Sequence, residues 1–119
     1  MSLLVNAYTR NESGAMQFLD PEDHGQELAG FEVYRTTFYG GKAARSLNLR
    51  LLPSLVEGDL YVEGAALTDL REEANRILSN MDLFTEEAVA DGDSLRFRIQ
   101  NILGAVQRAT KAGGGVVIW

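Results

Sequence analysis

The chain predicts an α+β domain, a mostly antiparallel sheet of about four strands with two long helices packed on one face. Three observations carry this. The stretch Gly58 to Phe84 runs from a short apolar strand signal into a clean amphipathic helix. A second helical pattern covers about Leu95 to Ala112, and an apolar tetrapeptide, Val116 to Ile118 with Trp119, follows a glycine triplet. At 119 residues the chain is one domain, 1–119, with enough length to build a core without metal or disulfide.

The first helix is read from its wheel. With Leu67 at the origin and about 100° per residue, Leu70, Ala74, Ile77, Leu78 and Met81 share one stripe. Asp69, Glu72, Glu73, Arg76 and Asn80 fall opposite, so that face is expected to be wet and largely acidic. The second helix buries Leu95, Ile99, Ile102, Leu103 and Val106. Asp93 or Ser94 is expected to cap its start, Arg108 and Lys111 suit its C-terminal dipole, and Gly113 closes it.

The strands are shorter signals. Leu3 to Tyr8 is apolar between polar neighbours, and Asp59 to Glu63 points Leu60 and Val62 inward. Phe31 to Tyr39, rich in aromatic and β-branched residues and ended by Gly40-Gly41, reads as a strand. The terminal Val116–Trp119 has to pair inside the sheet, since an apolar edge invites aggregation. Met16, Phe18 and Leu19 fit a short strand before the turn Asp20 to Gly25, the rest of 11–30 being left open. Lys42 to Leu52 fits both periods; a short helix from Lys42, limited by Pro53, is preferred. A turn of helix at Thr85 to Ala90 is the further expectation.

Charge is unevenly distributed. Residues 57–93 hold eleven acids against Arg71 and Arg76, net −9 within a chain of net −6. Residues 94–119 hold four bases and no acid. Such a field disfavours nucleic acid and favours a basic protein partner, whose encounter it would speed. The plain alternative is a solubilising face. No apolar run approaches the roughly 18 residues of a membrane span, and Met1 to Tyr8 lacks the pattern of a secretory signal. The expectation is a cytoplasmic protein without a membrane partner.

Chemical signatures are sparse. Without cysteine there is no thiol nucleophile or thiolate metal site. His24, the only histidine, sits in a loop with no nucleophile motif around any serine. Asp91-Gly92-Asp93 lacks the rest of a calcium loop, and Gly113-Gly114-Gly115 precedes a strand and so cradles no phosphate. No catalytic residue, metal ligand or cofactor is assigned. Arg98 and Asn101 lie at the margin of the buried stripe, where an arginine needs an acid or a carbonyl. They are candidates for a buried ion pair with the acidic segment or for an anion contact. Phe97, on the far side of that helix, offers a second contact surface.

Three stretches together, Arg45-Ser46-Leu47-Asn48-Leu49-Arg50-Leu51-Leu52-Pro53, then Asp59-Leu60-Tyr61-Val62-Glu63-Gly64, then Arg98-Ile99-Gln100-Asn101-Ile102 with Gly113–Trp119, resemble small bacterial proteins of unknown function. Some of those are thought to be immunity proteins of polymorphic toxin systems. The resemblance implies a protein that blocks the site of a cognate toxin, and an acidic face would suit a basic toxin such as a nuclease. The leading reading is therefore a non-enzymatic binding module, with Asp59, Asp69, Glu72, Glu73, Glu86 and Glu87 as partner-facing residues. A small enzyme or ligand-binding domain with a pocket between sheet and helices, using Arg98, is the second. A structural homodimer, with Phe97 covered, is the third.

Overall fold

The computed structural model describes residues 2–19 and 25–119; His24 and most of the expected Asp20–Gly25 turn lie outside them. The domain is α+β, with the chain order β1 (Ser2–Arg10), β2 (Met16–Leu19), β3 (Leu28–Phe31), α1 (Lys42–Ser46), β4 (Leu60–Glu63), α2 (Ala66–Leu78), α3 (Asp82–Ala88), α4 (Gly92–Ala112) and β5 (Gly115–Ile118). The sheet is antiparallel throughout, in the order β2-β1-β5-β4, and β3 also pairs with β1.

β1 is the strand that unites the sheet. Val5 to Tyr8 pair with β5 along one edge, while β3 and β2 share the other edge end to end. The alternation of amides proves the edges: Leu4 N–H donates to Trp119 O, and the next amide, Val5 N–H, donates to Glu27 O. β5 lies between β1 and β4, with Ile118 opposite both Val5 and Leu60. An apolar terminal strand is thereby satisfied on both edges, as its composition required.

Inward side chains of the sheet (Leu3, Val5, Ala7, Leu60, Val62, Val116, Ile118) pack against Leu70, Ala74 and Ile77 of α2 and Leu95, Ile99, Ile102 and Val106 of α4. Both predicted helical stripes are thus buried, Leu78 and Leu103 only partly, and Met81 follows in the turn after α2. The N-cap of α4 is Asp91, whose Oδ1 accepts Ser94 N–H at 2.8 Å, ahead of the expected Asp93 or Ser94. Gly113 ends the helix at φ 69°, in the left-handed region.

One expectation is corrected. Phe31 to Tyr39 is not a strand: β3 stops at Phe31 and Arg35–Tyr39 form a single wide helical turn. The aromatic spacing explains this, because Phe31, Tyr34 and Phe38 stand at i, i+3 and i+7 and stack edge to face at 5.5 and 5.6 Å. Phe38 then meets Phe84 of α3 at 5.4 Å, and the buried Tyr39 hydroxyl donates to Ala29 O at 2.6 Å. Packing into this aromatic cluster outweighs the β propensity of the segment. The sheet has five strands where about four were expected, Leu28–Phe31 among them.

The helix from Lys42 is present but ends at Ser46, with Asn48 left-handed at φ 59°. Pro53 stands at the start of a 3₁₀ turn, Leu52–Val56, where its missing N–H costs nothing. The expected turn of helix around Thr85 is α3, and it begins earlier, at Asp82.

Candidate functional site

The six carboxylates singled out by the sequence divide into two kinds. Asp69 and Glu72, both on α2, and Glu86 on α3 are exposed. Asp59 is exposed as well and accepts Arg35 Nη2 at 2.8 Å, an ion pair that ties the 35–39 turn to the start of β4. Glu73 and Glu87 serve the backbone instead.

Glu73 is only 6% exposed, which corrects its placement on a wet face. The segment 47–52 folds over that flank of α2. Glu73 Oε2 accepts the amides of Arg50 and Leu51 and Oε1 that of Leu52, each at 3.0 Å. Those are the free donors at the entry to the 3₁₀ turn, so the carboxylate caps it from a distance of about twenty residues in sequence. Arg76, one turn on, completes the clasp by donating from Nη1 to Leu47 O at 3.0 Å. Glu87, half-buried, does the same for α1, accepting Lys42 N–H at 2.9 Å and Ala43 N–H at 3.2 Å. A Cβ at Gly41 would lie 2.6 Å from the Glu87 carboxylate, so glycine is needed there for the cap to close.

Arg98 and Asn101 do not form the expected pair with the acidic segment. Asn101 Nδ2 donates to the carbonyls of Gly25 and Leu28 at 2.9 and 2.7 Å, pinning the start of β3 to α4. Arg98 has no carboxylate within ion-pair distance among the described residues, and its Nε is buried without a hydrogen-bond partner. Its guanidinium carbon lies 5.5 Å from the ring centres of both Phe31 and Phe97. Among the described residues cation–π attraction stands where the ion pair with the acidic segment was expected. Phe31 and Phe97 are 50% and 43% exposed, so the expected second surface on the far side of α4 is open.

What the sequence reading missed is the exposed apolar part of the α3 surface. Leu83 is 51% exposed and Val89 89% exposed, beside the exposed Asp82 and Glu86. Val89 is the C-cap of α3 at φ 51°, ψ 52°, a left-handed conformation that a β-branched residue adopts only with strain. Between α1 and α3 lies a shallow cleft of about 460 Å³, lined by Lys42, Ala43, Ser46, Leu83, Glu86 and Glu87. A second cleft of that size separates α2 from α4, with Arg71, Asn75 and Lys111 over Leu103 and Val106. Both clefts lie on the outside of the helical layer. Among the described residues, the side chains between sheet and helices form one buried apolar core.

A polar cluster crosses the sheet at its opposite end. Glu63 accepts the Tyr8 hydroxyl at 2.7 Å and Arg10 Nη2 at 2.9 Å. The Arg10 hydrogen bond, and then that of Tyr8, holds the Glu63 carboxyl below its ordinary 4.5. Burial, and then the hydrogen bond to Glu63, pushes the Tyr8 phenol up to about 12. Among the described residues no group of three or more histidine or carboxylate side chains could hold a metal, and no helix is long and apolar enough to cross a membrane. No family model, curated protein or solved structure matches this chain.

Proposed function

We propose that the protein is a non-enzymatic binding module that meets a basic protein partner through exposed carboxylates centred on α3, with Asp69 and Glu72 of α2 adding to the field. What supports the reading is the α3 surface. Leu83 and Val89 stand in solvent beside Asp82 and Glu86, within the segment of eleven acids and two bases. An apolar anchor ringed by carboxylates suits a partner with apolar side chains among lysines and arginines. Val89 adds a physical argument, because glycine would relieve its backbone strain and the fold gains nothing visible from its side chain. Neutralisation of a basic toxin, the role implied by the resemblance to immunity proteins, is the specific form of this function, with the protein acting in the cytoplasm. Glu73 and Glu87 leave the interface, since their carboxylates are engaged with backbone amides.

The test begins with co-purification from the source cell and mass-spectrometric identification of the partner. Stopped-flow association is then compared between the wild type and the triple variant Asp69→Lys, Glu72→Lys, Glu86→Lys. A fall of about tenfold or more in association rate, with a flatter salt dependence, is expected. Identical kinetics would sink the reading.

A further inference from the structure

The sheet face turned away from the helices breaks the usual pattern of an antiparallel sheet with one solvated side, which alternates apolar-in with polar-out. Its outward positions include Phe18, Tyr61 and Trp119, which are 47%, 52% and 38% exposed. The Phe18 and Trp119 rings pack at 5.4 Å across β1, and Trp119 Nε1 donates to Asn6 Oδ1 at 2.9 Å, which fixes the indole over the strand. Val117, opposite Tyr61 and Asn6, points outward too, yet is fully covered among these side chains. Among the described residues the charged side chains of the face are Arg10 and Glu63, which pair with each other at 2.9 Å. Among the described residues, a broad aromatic surface whose charged side chains cancel has thus been built on a chain of net −6.

We infer that this face binds a second copy of the chain, sheet against sheet about a two-fold axis. Charge selects the occupant. A basic partner gains nothing from a neutral face, whereas two copies of a net −6 chain repel everywhere that they present acid and meet here without contact repulsion. A two-fold arrangement also lets Arg10 of each copy approach Glu63 of the other without any new residue. Sheet faces pack at about 10 Å with their side chains interleaved, and rings standing on a twisted sheet supply that interleaving.

Area sets the strength. Four strands about 4.8 Å apart, averaging about five residues of about 3.3 Å each, cover on the order of 300 Å² in projection. With standing side chains this is roughly 500 Å² of accessible surface per copy, near the low end of specific interfaces. The dimer is therefore weak, dissociating in the micromolar range, and it tightens as salt screens the repulsion between the two acidic bodies. That salt response is opposite in sign to the one expected for the basic partner at α3, so the two contacts are separable.

Sedimentation equilibrium from about 1 to about 200 µM, at low and high salt, tests the inference, with Trp119 as the only tryptophan and an internal reporter. The expected result is a shift from the 13.1 kDa monomer toward twice that mass, stronger at high salt, with acrylamide quenching of Trp119 falling as the dimer forms. Tyr61→Arg and Phe18→Lys, each checked for fold by circular dichroism, should weaken association by about tenfold or more. A 13.1 kDa species at all concentrations, with Trp119 equally quenchable throughout, overturns the inference. So does a dimer in which Trp119 stays accessible, which would place the contact elsewhere, for example at Phe97.

Discussion

The Glu73 carboxylate accepts the Leu52 amide at 3.0 Å while its second oxygen holds the two preceding amides, so one side chain of α2 organises the segment that crosses it. Glu73→Ala leaves three donors without their acceptor in a place that is 6% exposed. The expected loss is about 3 kcal/mol in urea denaturation, with the midpoint lowered at unchanged m. Glu73→Gln keeps one acceptor oxygen and should lose about half as much. Glu72→Ala, one residue away and exposed, should stay within about 0.5 kcal/mol of wild type. Equal effects at positions 72 and 73 would show that the clasp does not stabilise the fold.

Val89 predicts a gain in stability. A valine in the left-handed region costs roughly 1 kcal/mol relative to glycine, and the entropy that glycine restores to the unfolded chain offsets part of the relief. Val89→Gly is therefore expected to raise stability by about 0.5 kcal/mol, read as a higher melting temperature. In the proposed function the same substitution removes an anchor and accelerates partner dissociation. Stability and binding then move in opposite directions, which no purely structural role for Val89 would produce.

At the bare sheet face the Tyr8–Glu63–Arg10 cluster makes stability depend on pH at both ends. Glu63 titrates below its ordinary 4.5 in the folded state, so its contribution is present above that value and is lost as pH falls through the lowered one. Tyr8 is raised from 10.0 to about 12, so its contribution is present below 10.0 and is lost as pH rises toward about 12. Carboxyl-detected NMR should show the Glu63 pKa rising toward 4.5 in Arg10→Ala, and by less in Tyr8→Phe, in the order of the two hydrogen-bond contributions. A Glu63 pKa unmoved by Arg10→Ala would mean that solvent screens the pair completely.

Which parts of this molecule were legible beforehand follows from the range of the forces involved. The stripes of α2 and α4, the paired terminal strand and the short helix at Lys42 depend on local periodicity and on glycine and proline, and the structure contains each of them. Phe31–Tyr39 satisfied two periods over nine residues, and the choice between them was made by Phe84, more than forty residues away. The acidic character of 57–93 was legible as composition, but which acids remain free was not. Glu73 and Glu87 are consumed by amides of segments 21 to 45 residues distant, contacts without a sequence period. One signal was available: at about 100° per residue Glu73 stands only about 40° from Ile77, at the margin of the buried stripe. Among the described residues Arg98 meets rings where an acid was expected, because Phe97 neighbours it on α4 and Phe31 comes to it from the end of β3.

The glycine triplet offers a graded test of how the last helix is joined to the central strand. Gly113 is left-handed at φ 69° with open space around it, so Gly113→Ala costs only backbone strain, about 1 kcal/mol. Gly114 carries no such φ, but a Cβ there would overlap the Tyr8 carbonyl oxygen, part of β1's own backbone. Gly115 lies beneath the Tyr8 ring and the Glu63 side chain, 2.7 and 2.6 Å from where its Cβ would be. The side chains over Gly115 can shift, whereas the backbone over Gly114 cannot without parting β1 from β5. Chemical denaturation should therefore rank the alanine variants Gly114 worst, at more than about 3 kcal/mol, then Gly115, then Gly113. Gly58→Ala, with nothing within 4 Å and no positive φ, serves as the control and should be neutral or slightly stabilising. If Gly114→Ala proves as mild as Gly113→Ala, the close approach of the helix exit to β1 is not a constraint on the fold, and the triplet is no more than a helix stop.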